Sequence, residues 1–275
     1  MDPLDAPTHR LWALRIEYDG RPFIGWQRQS PRGERRDAAG GDGGKPSVQE
    51  VLEAAAACLD GGVPPASTVA GRTDSGVHAT GQVVHLALPA QFSAHAVREA
   101  LNFHLKPHPV VVLDAALAPD GFNARFSATG RRYRYTILNR RPRPALEEGR
   151  VWHVRHPLDA DAMAQAASLL LGRHDFSTFR AASCQASSPV RTLDRLAVTR
   201  TGEHLTIEAA ARSFLHHQVR NMVGSLSFVG LGRWSVAEFA RAFAAADRRA
   251  GGPTAPPDGL VLTGVAYDPD PFAGR

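Results

Sequence analysis

The chain has 275 residues, 43% hydrophobic and 21% charged, a composition of ordinary folded soluble proteins that excludes fibrous and disordered classes. Its formal net charge is +5 with a sequence pI near 9.7, and the charge is carried by arginine, Lys45 and Lys106 being the two lysines. Such a balance suits a polyanionic partner, because each neutralised phosphate releases counterions, and it equally suits a GC-rich coding bias toward arginine, alanine and glycine.

Residues 11–18 alternate, with Leu14, Ile16 and Tyr18 at apolar positions, and predict a strand before the turn at Asp19-Gly20. Residues 30–45, rich in glycine, arginine and aspartate and without hydrophobic period, predict a surface loop. Ser47-Val48-Gln49-Glu50 has the form of a capping box and predicts a helix over 48–59. A strand follows over 83–88, with Val84, Leu86 and Leu88 on one face, then a helix over 94–105 and a short apolar strand over 110–113. A second half begins near Phe122, which divides the chain into residues 1–121 and 122–275. There, Arg132, Arg134 and Thr136 alternate with Tyr133, Tyr135 and Ile137, predicting a strand with one basic and one aromatic face. A helix is expected over 159–171, ended by Gly172, and a hairpin over 193–211 that turns at Thr201-Gly202. Helices over 216–229 and 235–246 precede a closing strand over 260–267. Strands able to pair antiparallel, mixed with helices that cover them, predict an α+β fold of two similar halves around a central mixed, largely antiparallel sheet.

Cys58 and Cys184 match no metal or redox spacing, so neither a disulfide framework nor a zinc site is expected, and the expected compartment is a reducing cytoplasm. Residues 1–10 are polar, and no run approaches the ~20 apolar residues that span a bilayer, so export and membrane insertion are not expected. The adjacent His216 and His217 lack a third ligand at suitable spacing, and Pro107 interrupts the His104/His108 pair, so both read as structural.

The densest chemistry lies in Gly71-Arg72-Thr73-Asp74-Ser75-Gly76-Val77-His78-Ala79-Thr80-Gly81. Three glycines allow tight turning and close approach of a ligand. A carboxylate there, beside a guanidinium, stays ionised and can serve as nucleophile or base. From spacing alone a second reading stands beside it, in which Asp74 and Thr73 cap a turn and Arg72 is solvated. Phosphate cradling is disfavoured, because the P-loop lysine and its glycine spacing are absent.

This segment resembles the signature loop of the tRNA pseudouridine synthase A family, and the resemblance continues in order along the chain. It includes Tyr18-Asp19-Gly20, Gly25-Trp26-Gln27-Arg28-Gln29, Ser47-Val48-Gln49-Glu50, Asn123-Ala124-Arg125-Phe126-Ser127-Ala128, Arg131-Arg132-Tyr133-Arg134-Tyr135 and the run from Phe214 through Arg220 to Gly224. The resemblance implies a pseudouridine synthase fold in which residues 122–275 complete the cleft. It also implies a homodimer, no cofactor and no metal, with the tRNA anticodon stem-loop as partner and uridines 38 to 40 as substrate. It makes Asp74 the catalytic residue, Arg220 its ion-pair partner, and Arg72, Thr73, His78 and Tyr133 the residues that meet the flipped nucleotide. Ser75 departs from the family, which usually has alanine there, and residues 30–45 are an insertion relative to its short members. Three rivals are a non-catalytic RNA-binding protein with the same fold, a zinc deaminase and an aspartyl-phosphate enzyme. The deaminase motifs are missing, and so is an acidic metal cluster for the last.

Overall fold

The computed structural model describes residues 8–29 and 44–273, so the predicted loop over 30–45 lies outside the described residues except for Gly44 and Lys45. Among the described residues, ten strands and five α-helices make the fold α+β, as expected. No helix among the described residues is long and apolar enough to cross a membrane. The chain divides into two compact units, one reaching Thr129 and including residues from Thr263 onward, the other comprising residues 130–262.

In the first unit, β1 (His9–Tyr18) pairs antiparallel with β3 (His78–Pro89) and with β4 (Val110–Leu117), while the two-residue β2 (Thr68–Val69) pairs with β3. Trp12, Leu14 and Ile16 of β1 and Val84, Leu86 and Leu88 of β3 are buried, as their alternation requires. Burial of each such side chain contributes roughly 1.5–3 kcal/mol. Two helices, α1 (Val48–Ala57) and α2 (Ala94–His104), supply further core residues, among them Leu52, Val97 and Leu101. The Asn102 side chain ties α2 to β4, its Nδ2 donating to the Val112 carbonyl at 2.9 Å and its Oδ1 accepting from the Val112 N–H at 2.7 Å. Ala13, Val83 and Ala116 on the opposite face meet Phe122, Ala124, Tyr267 and Phe272, so the middle of this sheet is buried on both sides. Arg15 is accommodated there by lying over the Phe272 ring, 4.5 Å from its centroid.

In the second unit, β5 (Ala128–Asn139) pairs antiparallel with β9 (His204–Ala211), β9 with β8 (Val190–Thr201), and β8 with β7 (Gly172–Asp175). The short β6 (Trp152–Val154) joins β5 in parallel, which makes the pairing mixed. The residues of β10 (Leu260–Tyr267) up to Leu262 belong to this unit and those from Thr263 to the first. Its helices are α3 (Ala160–Ser168), α4 (Gln218–Gly230) and α5 (Val236–Ala244). Phe176, Phe179, Phe239 and Phe243 form an aromatic cluster, with Phe179 and Phe243 stacked at 5.6 Å and 16°.

Two expected helix boundaries are corrected. The helix expected over 159–171 ends at Ser168, because Leu169, Leu170 and Leu171 donate three residues back, to Ala166, Ala167 and Ser168, in a tightened last turn. Gly172, at φ 91, opens β7 instead of capping the helix. The helix expected from His216 starts at Gln218, since His217 adopts a left-handed φ of 61. There the Gln218 side chain accepts from the Leu215 N–H at 2.8 Å and closes the turn.

Candidate active site

Asp74 sits on the loop between β2 and β3, which turns at Gly76 with φ 79, where the Val77 N–H donates to the Asp74 carbonyl at 3.1 Å. A bridge joins Asp74 to Gly25 antiparallel, and the Trp26 N–H donates to the Thr73 carbonyl at 3.0 Å. Gly25 has φ +110, and a Cβ there would lie 2.7 Å from the Thr73 carbonyl oxygen, so glycine is what lets this segment reach the loop. The Ser75 hydroxyl donates to the Phe23 carbonyl at 3.2 Å.

The same segment is tied to the start of α1. The carbonyls of Gly25 and Trp26 accept from the N–H groups of Val48 and Gln49, both at 3.1 Å, and so satisfy donors that a helix N-terminus leaves open. The predicted capping box completes that end: the Glu50 N–H donates to Ser47 Oγ at 3.1 Å, and the Ser47 N–H donates to Glu50 Oε2 at 2.7 Å. Arg28 reaches from the segment to Glu53, donating to Oε2 at 2.9 Å. Glu53 is fully buried, and burial pushes its carboxyl up. Bonds from the Ser67 backbone, Gln49, the Ser67 hydroxyl and Arg28 outweigh this and hold it below the usual range. Thus residues 25–29 and 47–53, separate in sequence, form one scaffold under the Asp74 loop. Glu53→Ala is expected to destabilise the protein by about 3–5 kcal/mol in urea denaturation, because it removes the near carboxylate from the sheltered Arg28 guanidinium and leaves it the looser contact with Glu50 at 3.9 Å. A loss under 1 kcal/mol would refute that role.

Below the loop, the Tyr18 hydroxyl lies 2.8 Å from the Thr73 hydroxyl, and Gln82 Nε2 donates to the Gly71 carbonyl at 2.7 Å. Burial pushes the Tyr18 hydroxyl up to about 12, against hydrogen bonds to Thr73 and Gln82 that pull the other way. His78 is buried, with its Nδ1 3.1 Å from the Gly20 backbone nitrogen. Asp19 Oδ1 lies 3.3 Å from that Nδ1. Burial raises the Asp19 carboxyl, but bonds from the Arg21 side chain and backbone carry it down to about 2. A Cβ on Gly20 would lie 2.1 Å from the Val77 carbonyl oxygen, so this turn too is packed directly against the loop. Within the first unit, Thr73 and His78 are therefore held from the core side, Asp74 is half-buried, and Arg72 is exposed.

The second unit carries Tyr133 and Arg220. Arg132 and Arg134 face solvent, and Tyr135 and Ile137 are buried, as the two-faced strand predicts. Tyr133 is half-buried, its ring meeting Phe214 edge-on at 5.2 Å and 89°. The Tyr135 hydroxyl donates to the Pro256 carbonyl at 2.8 Å. Burial pushes it well above its ordinary range, and the positive charge of Arg220 acts in the opposite direction. Arg220 Nε donates to the Ala255 carbonyl at 2.8 Å, and the Ala255 N–H donates to the Arg220 carbonyl at 3.1 Å.

That clasp is one of several along α4. Asn221 Oδ1 accepts from the Thr254 hydroxyl at 2.6 Å and from Arg248 at 3.2 Å, and the Gly252 N–H donates to the Ser225 hydroxyl oxygen at 2.9 Å. A Cβ on Gly224 would lie 1.7 Å from the Pro253 carbonyl oxygen, so residues 252–255 form a strap pressed on the helix. Sequence reasoning assigned no role to Tyr18, Gln82, Glu53, Asn221 or the strap. Tyr18 and Asn221 stand inside the matched motifs, whereas no local pattern in the sequence marks Glu53.

The α+β arrangement, together with a match of residues 166–268 to the family model for tRNA pseudouridine synthase, defines the class as a pseudouridine synthase fold. Over 264 residues the chain is 64% identical to tRNA pseudouridine synthase A of Acidiphilium cryptum, covering 96% of this chain and 98% of that protein. It is 57% identical over 256 residues to the protein of the same name from Paramagnetospirillum magneticum, covering 93% and 94%. With the one from Gluconobacter oxydans it shares 52% over 274 residues, covering 98% and 95%. The chain belongs to the tRNA pseudouridine synthase A family, a family of isomerases.

Proposed function

We propose that this protein isomerises uridine to pseudouridine in the anticodon stem-loop of tRNA, at positions 38 to 40, with Asp74 as the reacting carboxylate. The observation that carries the reading is the 64% identity to a tRNA pseudouridine synthase A over 96% of the chain. The reaction breaks the bond from N1 to C1′, turns the uracil, forms the bond from C5 to C1′, and moves the C5 hydrogen to solvent while N1 gains one. Atoms and electrons balance within the nucleotide, so the proposal includes no cofactor. Asp74 can assist by adding at C6, by attacking C1′ or by taking the C2′ proton.

The target base leaves its stack at a cost of a few kcal/mol. Arg72, exposed two residues from Asp74, supports a role in filling the gap or holding the flipped phosphate. Tyr133, half-buried against Phe214, supports stacking on the flipped base, worth ~1 to 3 kcal/mol. Thr73 and His78 serve the same nucleotide through the loop they steady. The family resemblance also supports a homodimer and a pairing of Arg220 with Asp74.

Purified protein incubated with unmodified tRNA in EDTA is expected to form pseudouridine at positions 38 to 40, mapped by chemical sequencing. Pseudouridine elsewhere, or a requirement for added metal, would overturn the reading. Tight tRNA binding with no product would favour a non-catalytic RNA-binding protein.

A further inference from the structure

The second unit carries a groove that the reaction does not use. It has a volume of about 540 Å³ and is lined by Arg140, Arg141, Arg155, Arg200, Asn139 and Leu158 among others, with no carboxylate in the lining. Asn139 closes β5, six residues beyond Tyr133, so at ~3.3 Å per residue the groove lies about 20 Å along the strand from the residue proposed to stack on the base.

The groove is a built frame. Asn139 Oδ1 accepts from the Leu158 N–H at 3.0 Å and from Arg200 Nη2 at 3.0 Å, while its Nδ2 donates to the carbonyls of Val154 at 2.9 Å and His156 at 2.7 Å. One amide thus uses every hydrogen-bonding position to lock the end of β5, the connection from β6 to α3, and β8. Arg200 also donates to the Leu158 carbonyl at 2.7 Å, so it meets two neutral acceptors that do not offset its charge. Arg140 is partly neutralised by Glu203 at 2.9 Å. Arg141 and Arg155 are exposed, and among the described residues no carboxylate pairs with either.

We propose that this groove is a second RNA contact, which takes phosphodiester groups of the tRNA backbone at a distance from the reacting uridine. Forked guanidiniums match phosphate oxygens in pairs, and several of them on a fixed frame position a polyanion with little ordering of their own. The volume and the four arginines fit consecutive phosphates of a chain better than one small anion. The proposal rests on the reading that tRNA is the substrate.

The test uses the full-length protein with Arg141→Ala/Arg155→Ala and with Arg155→Glu, beside Arg98→Ala/Arg241→Ala, a charge-matched control on α2 and α5 where the arginines pair with Glu99 and Glu238. Circular dichroism melting is expected to match the wild type, because neither groove side chain holds the fold. For the double variant the tRNA Kd is expected to rise about tenfold or more relative to the control. The slope of log K against log salt should become shallower by about one to two, as fewer phosphates are neutralised. Single-turnover rate at saturating tRNA should be unchanged. Affinity and salt slope equal to the control would overturn the groove proposal while leaving the activity standing. Wild-type protein that neither binds nor modifies tRNA would instead overturn the function itself. Inorganic tripolyphosphate bound by the wild type and lost in the double variant, with tRNA binding untouched, would make the groove a small-anion site and also overturn the proposal.

Discussion

Asp74→Asn is expected to lower pseudouridine formation by at least ~10⁴-fold, the scale on which losing a reacting nucleophile or essential base reduces turnover. The amide keeps the size of the side chain but cannot add to the base, attack C1′ or accept the C2′ proton. The loop should survive, because its shape rests on groups the substitution leaves alone. These are the Asp74 carbonyl accepting from Val77, the Thr73 carbonyl accepting from Trp26, and the Tyr18 contact with Thr73. The variant should remain folded in a thermal melt, and tRNA affinity should stay within a few-fold. Single-turnover assays with a filter-binding control check both parts. A variant that retains a tenth of the wild-type rate would remove Asp74 from the chemistry.

Arg220→Ala is expected to reduce turnover by ~10²–10³-fold, the range seen when a fixed charge is withdrawn from a reacting centre, with tRNA affinity nearly intact. In the proposed pairing the guanidinium favours the ionised form of Asp74, so its removal raises that carboxyl's pKa. The acid limb of the pH–rate profile should therefore move to higher pH, a shift that mere loss of packing would not produce. Arg220→Lys should recover part of the rate: the charge returns, but a lysine cannot keep the Nε bond to the Ala255 carbonyl in the same forked geometry. A variant with weakened tRNA binding and normal single-turnover rate would place Arg220 on the phosphate-binding surface instead.

The long periodic elements were legible in the sequence because their larger apolar side chains recur on one face. β1, the part of β3 over 83–88 and β5 follow from alternation, and the start of α1 from its capping box, whereas residues 78–82 at the start of β3 were expected as loop. The short β2, β6 and β7, of two to four residues, carry too few positions to show a period. The end of α3 was misread because a glycine following three leucines has the form of a helix stop, and its positive φ was needed for a strand entry instead. At the site, Asp74 and Arg220 were reached through the resemblance; spacing alone left a capped turn equally open. The scaffold of Arg28 with Glu53 and the strap along α4 were hidden, since both depend on residues far apart in sequence meeting backbone groups, for which no local pattern exists.

The support beneath the loop also bears on how kinetics should be interpreted. With its hydroxyl pushed up to about 12, Tyr18 stays protonated throughout the range in which RNA itself is stable to base. Its contact with Thr73 therefore does not titrate during an ordinary assay series. Any alkaline decline in rate then reports substrate ionisation or another side chain, and a Tyr18→Phe variant should keep the wild-type alkaline limb even where its overall rate falls.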